Sequence, residues 1–141
     1  EPLSSRGRVQ ILEHASWADG MGTSIAAGVT ALDADDTLTA VLIAACDMPS
    51  VTGAHLQALI DAAVTSFRRG RSASAYDTPD GEQISGIPAV FPREDFPDLR
   101  SLSGDRGARA LLRDADIPLI ALADGNLDLD TPDDLRRWRT L

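Results

Sequence analysis

Asp47 directly follows the most apolar run in the sequence, Ala40-Val41-Leu42-Ile43-Ala44-Ala45. A strand there would set the carboxylate at the carboxyl edge of a parallel sheet, where ligands of open α/β sheets collect. A hard carboxylate in that place can hold a magnesium ion beside the phosphates of a ligand, or it can simply cap the loop that follows. Gly20-Met21-Gly22-Thr23-Ser24 is a second candidate. Its glycines let backbone approach a ligand, and a helix starting behind them offers free N–H groups to an anion. A plain turn with Thr23 or Ser24 as cap satisfies the same residues.

Ser103-Gly104-Asp105-Arg106-Gly107-Ala108-Arg109 places two guanidiniums three residues apart. On one helix face such a pair can grip a phosphate, and on a solvated face it does nothing special, with Asp105 as cap. Asp128-Leu129-Asp130-Thr131-Pro132 has two carboxylates that point the same way in an extended chain, as metal ligands or as turn-formers. His14 and His55 form no ligand cluster with other residues, and His55 reads as a surface residue. Cys46, the single cysteine, reads as a packed thiol at a strand end. Trp17, just before the glycine loop, is placed to line a pocket. No nucleophile–His–acid arrangement is present.

Composition narrows the chemistry further. The 141 residues suit a single domain, and 43% hydrophobic with 25% charged residues suits a globular one. The net charge of −9 excludes a basic nucleic-acid footprint. All basic side chains besides His are Arg, so neither Schiff-base chemistry nor a phosphate-loop Lys arises within these residues. One cysteine allows no internal disulfide, which suits a reducing cytoplasm. No apolar stretch reaches bilayer length and no signal peptide opens the sequence, so no membrane partner is expected.

Positioning these residues needs strands and helices in alternation. Val9-Gln10-Ile11-Leu12 reads as a short strand, and a helix with Ile25, Val29 and Leu32 on one face follows the glycine loop. The run ending at Ala45 reads as a central strand buried on both faces. The clearest helix covers 52–69, with Thr52 as N-cap and Leu56, Leu59, Ile60, Ala63, Val64 and Phe67 as its buried stripe. Strands are expected at 72–76, 87–91 and 117–122, with a turn at Pro79-Asp80-Gly81. Short helices are expected at 94–102 and 106–113. Thr131, Pro132, Asp133 and Asp134 signal a capped closing helix whose Leu135 and Trp138 face inward. The sum is a three-layer α/β domain with a mostly parallel sheet.

The order of these motifs, with Gly86-Ile87-Pro88 between them, resembles the MobA-like nucleotidyltransferase family, and most closely its molybdenum cofactor cytidylyltransferase branch. The resemblance covers nearly the whole of residues 1–141 as a single domain. The Ser-Gly-Asp-Arg-Gly-Ala-Arg and Asp-x-Asp-Thr-Pro runs carry most of it. It implies a Rossmann-like nucleotidyltransferase fold and a Mg2+-dependent reaction. In that reaction a molybdopterin-type acceptor's phosphate attacks the α-phosphate of CTP and pyrophosphate leaves.

By the same resemblance, Asp47 binds the metal and Asp130 is a second metal candidate. Gly20, Met21, Gly22, Thr23 and Ser24 contact the nucleotide, and Pro88, Asp105, Arg106 and Arg109 contact the acceptor. Two departures stand out. The family's opening strand and glycine-rich loop have no counterpart here, and Ile87 stands where the cytidylyltransferase branch has His. The sequence thus reads as the fold without its first βαβ unit, with an uncovered sheet edge open to self-association. Rival readings are guanylyl or other nucleotidyl transfer to a different phosphorylated acceptor, and a non-catalytic remnant that binds a partner.

Overall fold

The computed structural model describes residues 9–66, 70–77, 80–113, 116–125 and 127–140. Its regular elements are α1 (Met21–Leu32), β1 (Ala40–Ile43), α2 (Gly53–Thr65), β2 (Ser72–Asp77), β3 (Gln83–Pro92), α3 (Phe96–Arg100), β4 (Leu119–Ala121) and α4 (Pro132–Trp138). Short 3-10 turns cover Trp17–Asp19, Arg93–Asp95 and Ala108–Leu112.

The four strands lie in the order β1-β3-β2-β4. β3 runs antiparallel to both of its neighbours, and β4 runs parallel to β2. β1, β2 and β4 therefore share one direction, and their carboxyl ends open on one edge. Alternation along the strands sorts the core into two layers. Val41, Ile43, Ala73, Ala89 and Phe91 pack with Val29, Phe96, Leu99 and Leu112 from the α1 and α3 side. Leu42, Val90 and Ile120 pack with Leu56, Leu59 and Ala63 of α2 on the opposite face. Helices on both faces of the sheet make the expected three-layer α/β architecture.

β1 is a strand, as its apolar run predicts, but among the described residues it is an edge strand paired only with β3 and half-buried. Cys46 just beyond it is exposed rather than packed. Val9-Gln10-Ile11-Leu12 forms no strand, and Val9, Ile11 and Leu12 are exposed; among the described residues no strand pairs with their backbone. The same open side explains α2. Its Leu59 and Ala63 are buried, whereas Ile60 and Val64 are exposed, Val64 by 80%. A groove of about 540 Å³ runs beside them, lined by Val41, Leu42, Ile60 and Val64.

Thr52 caps α2 as predicted, its hydroxyl accepting from the His55 N–H at 3.2 Å. The His55 ring is buried, contrary to the surface position expected of it. Ser74 Oγ donates to the Pro88 carbonyl at 2.7 Å, so its contact of 2.8 Å with His55 Nε2 requires the ring to donate. Burial holds the His55 pKa below its usual value, and the neutral Nε2–H tautomer meets that requirement. Phe67, Arg68, Arg69, Pro79 and the opening segment 1–7 lie outside the described residues.

Arg93 clamps the turn between α1 and β1. Its guanidinium donates to the carbonyls of Asp33, Asp35 and Leu38 and to the Asp33 carboxylate, and it lies over the Phe96 ring. Arg71 forks onto the buried Asp95 carboxylate, with Nε donating to Oδ2 at 2.6 Å. α4 carries the predicted capping box, Thr131 with Asp134, but Trp138 is 42% exposed rather than packed inward. Among the described residues no helix is long and apolar enough to cross a membrane.

Candidate functional site at the carboxyl edge

β1 and β4 lead at their carboxyl ends into the segments that hold Asp47 and residues 122–125 and 127–130, and Tyr76 lies near the carboxyl end of β2. These loops are stitched together by hydrogen bonds to their backbone carbonyls. The Leu129 N–H donates to the Asp47 carbonyl at 2.9 Å, and Ser50 Oγ donates to the Asp124 carbonyl at 2.8 Å. The stitching brings the Asp-Leu-Asp run beside Asp47, as both motifs require if they act together. Partial desolvation raises the Asp128 carboxyl above the usual range, and the nearby Asp47, Asp130 and Asp134 carboxylates add to the effect. Asp128 thus lies in the field of the Asp47 and Asp130 carboxylates.

Among the described residues, no three His, Cys, Asp or Glu side chains converge closely enough to cage a metal by themselves. Oxygen ligands in a shared field fit a hard divalent cation that completes its shell with water and substrate phosphates.

The glycine loop divides its roles. Gly20 is the N-cap residue of α1 at φ 110°, and the helix starts at Met21, so neither Thr23 nor Ser24 is the cap. Gly22 is buried and its N–H donates to the Gly104 carbonyl at 2.9 Å. A Cβ at Gly22 would lie 2.6 Å from the Arg106 carbonyl oxygen and 2.9 Å from that of Gly104, and one at Gly20 would collide with Gly104. Both glycines are therefore accounted for by the later Ser-Gly-Asp-Arg loop pressing on them, without need of a ligand. Thr23 Oγ1 donates within the loop, 2.8 Å from the Gly20 carbonyl, and also meets His14 Nε2 at 3.0 Å.

Met21 and Ser24 remain. They line a cavity of about 470 Å³ with Ile25, Asp47 and Ile87. Trp17, 71% exposed, is not among the residues lining that cavity.

The arginine pair differs from its predicted form. The 3-10 turn begins at Ala108, capped by Gly107 rather than Asp105, so Arg106 lies outside it and the two guanidiniums do not share a helix face. The two glycines of the run break the helix that spacing alone suggested. Asp105, Arg106 and Arg109 are exposed. Pro88 is deeply buried in β3 and its carbonyl is taken by Ser74, so its side chain supports the segment that presents Ile87 to the cavity.

Sequence reasoning missed Tyr76. The β2–β3 register sets Ser74 opposite Gly86 and Tyr76 opposite Ile84, and the Tyr76 hydroxyl rests where a Cβ at Gly86 would be. A tyrosine three residues before the Pro-Asp-Gly run and a glycine five residues after it were the available signal.

The profile of the MobA-like NTP transferase domain matches residues 1–120. The chain belongs to this family. It is 29% identical over 138 residues to the purine catabolism protein PucB of Bacillus subtilis strain 168, covering 94% of this chain and 62% of that protein. It is 32% identical over 136 residues to nicotine blue oxidoreductase of Paenarthrobacter nicotinovorans, covering 91% and 63%.

Among solved structures, the Mycobacterium sp. strain JC1 homologue of Rv0371c superposes with a TM-score of 0.61 at 25% identity, over 84% of this chain and 56% of that one. A manganese complex of Mycobacterium tuberculosis H37Rv Rv0371c gives 0.54 at 28% identity, over 77% and 57%. The chain thus spans about three-fifths of the length of the curated relatives it matches. Its three-layer architecture is consistent with a Rossmann-like nucleotidyltransferase fold.

Gly22→Ala is expected to destabilise the protein by about 1–3 kcal/mol, because backbone rather than a mobile side chain must yield. Ser24→Ala, on the exposed side of the same turn, is expected to stay within about 0.5 kcal/mol of wild type. Urea denaturation of the two variants against wild type checks the ordering.

Proposed function

We propose that the protein transfers a nucleotidyl group, in its cytidylyl form, from CTP to the phosphate of a molybdopterin-type acceptor in the cytoplasm. An acceptor phosphate oxygen attacks the α-phosphorus, the bond to the β-phosphate's bridging oxygen breaks, and pyrophosphate leaves. The observation that carries this reading is the meeting of Asp47 with the 128–130 loop beside the cavity lined by Met21 and Ser24. Phosphoryl-type transfer asks mainly for positioning and charge neutralisation, so this reading requires no protein nucleophile at the edge.

In this reading Asp47, with Asp128 and Asp130 beside it, holds Mg2+. The cation neutralises charge on the triphosphate. Met21 and Ser24 border the nucleotide, Gly20, Gly22 and Thr23 shape that border from behind, and Arg106 and Arg109 face the acceptor. The manganese complex of a structural relative supports a divalent-cation site in the fold.

A second reading has its own observation. Ile87, an apolar side chain, borders the cavity beside Asp47. This favours an acceptor with an apolar contact there, and hence nucleotidyl or guanylyl transfer to another phosphorylated compound. The open edge of β1, flanked by exposed Ile60 and Val64, further supports self-association of these 141 residues. Sedimentation velocity is expected to show a species above monomer mass; a clean monomer at high concentration counts against it.

Asp47→Asn keeps the side chain's size and removes its charge. It is expected to lower Mg2+-dependent transfer from CTP by at least about a hundredfold, on the order of the loss when one charge-stabilising group is removed, while the melting temperature changes little. Incubation with each of the four nucleoside triphosphates, followed by pyrophosphate release, measures both the loss and the base preference. Near-normal turnover by Asp47→Asn makes that residue a loop cap.

A further inference from the structure

Ser50 follows Asp47 on the loop between β1 and α2. That loop is held in place around it. Met48 is buried, the Val51 N–H closes a turn onto the Met48 carbonyl at 3.3 Å, and Thr52 caps α2. The Ser50 hydroxyl therefore starts from a fixed backbone. It reaches a residue 74 positions later in the sequence, donating to the Asp124 carbonyl at 2.8 Å.

The receiving turn is equally well defined. Asp124 has φ 54°, in the left-handed region that a non-glycine residue rarely enters unless its surroundings hold it there. Its carbonyl also accepts the Leu127 N–H at 3.1 Å. The turn is fastened to β2 by the Leu122 N–H, which donates to the Ala75 carbonyl at 2.8 Å. Leu122 is buried, and a Cβ at Gly125 would lie 2.9 Å from the Tyr76 Cβ, so the turn presses directly on the end of β2.

Two points of contact thus join the Asp47 loop to the segment after β4. Ser50 meets Asp124, and the Leu129 N–H meets the Asp47 carbonyl at 2.9 Å. One hydrogen bond alone leaves a segment free to pivot about it, and a second one upstream fixes its direction. Asp128 and Asp130 flank Leu129 in the sequence, so the direction of the segment decides how both carboxylates stand toward Asp47. Ser50 itself carries no charge and is not among the residues lining the cavity beside Asp47. Its influence on a ligand there runs through the segment it holds.

We propose that Ser50 is a positioning residue of the carboxyl edge, whose hydrogen bond to Asp124 holds the Asp128 and Asp130 carboxylates where, with Asp47, they take a divalent cation. The cation rests on the nucleotidyl-transfer reading above; the holding of the segment by Ser50 does not.

The test compares wild type with Ser50→Ala, Ser50→Thr and Asp47→Asn. Free Mn2+ is followed by electron paramagnetic resonance as the ion is titrated into each protein, and amide hydrogen exchange is followed by nuclear magnetic resonance. Ser50→Ala is expected to weaken Mn2+ binding by about fivefold, the order of one neutral hydrogen bond. Ser50→Thr keeps the hydroxyl and is expected to stay within about twofold of wild type. In Ser50→Ala the Leu129 amide is expected to exchange about tenfold faster, while the amides of α2 keep their wild-type rates. A residue that served stability alone would change all amides together and leave the Mn2+ affinity of the folded protein as it was. Mn2+ affinity that survives Ser50→Ala but is lost in Asp47→Asn overturns the proposal. An unmoved Leu129 amide, or Ser50→Thr behaving like Ser50→Ala, overturns it as well. Faster Leu129 exchange in Ser50→Ala, in a protein whose wild type binds no Mn2+ or binds it regardless of Asp47→Asn, upholds the positioning of the segment and overturns the metal site of the nucleotidyl-transfer reading instead.

Discussion

The backbone of Gly22 lies against the backbone of residues 103–106 with no side chain between them, and the N–H of Gly22 is spent on the Gly104 carbonyl. This contact fixes how α1 begins. With Gly20 at φ 110° and Gly22 turned toward the later loop, Met21 and Ser24 fall on the side that faces β1 and Asp47. The same contact holds the 103–106 loop, and with it the approach to Arg109. Two motifs about eighty residues apart are thus one device, in which Gly20 and Gly22 leave room for the backbone of the later loop.

Charge is distributed with the same economy of position. The guanidiniums of Arg71, Arg93 and Arg100 neutralise carboxylates and cap carbonyls away from the carboxyl edge. At that edge, partial burial and, after it, the Asp47, Asp130 and Asp134 carboxylates raise the Asp128 carboxyl above the usual aspartate range. Like charges brought together by backbone hydrogen bonds cost stability. A cation, or an anion that arrives with one, relieves that cost. An edge of this kind suits the charged ligand of the proposed function.

Much of the scaffold was legible in the sequence because local rules governed it. Thr52 and Thr131 cap the helices that their hydroxyls predicted, and the run before Asp47 forms a strand. The failures share a cause in contacts made far along the chain or not made at all. Val9-Gln10-Ile11-Leu12 has the composition of a strand but no neighbour to pair with among the described residues, and α2 exposes Ile60 and Val64 where its pattern promised burial. Periodicity reports which face is apolar, not whether anything covers it.

His55 was misjudged because its partner, Ser74, lies on another element. In the site, Asp47 and the Asp-Leu-Asp run were visible as motifs, but their meeting depends on one long-range bond from Leu129. Gly22 was legible as a close-approach glycine, and only the structure names the group that approaches. Tyr76 carried no motif at all; its interest comes from the register that sets it over Gly86.

The central claim is that the carboxyl edge, and not another acidic region, receives the metal–nucleotide complex. The sequence offers a competitor in the Asp33, Asp35 and Asp36 turn at the opposite end of β1, already clamped by Arg93. Trace Mn2+ added with CTP to isotope-labelled protein broadens the amide resonances nearest the metal. The expected result is selective loss of signals at residues 46–48 and 128–130, with those around Ser24 and Tyr76 next, while the turn at 33–36 stays sharp. Broadening centred on 33–36, or spread evenly over the acidic surface, contradicts the site.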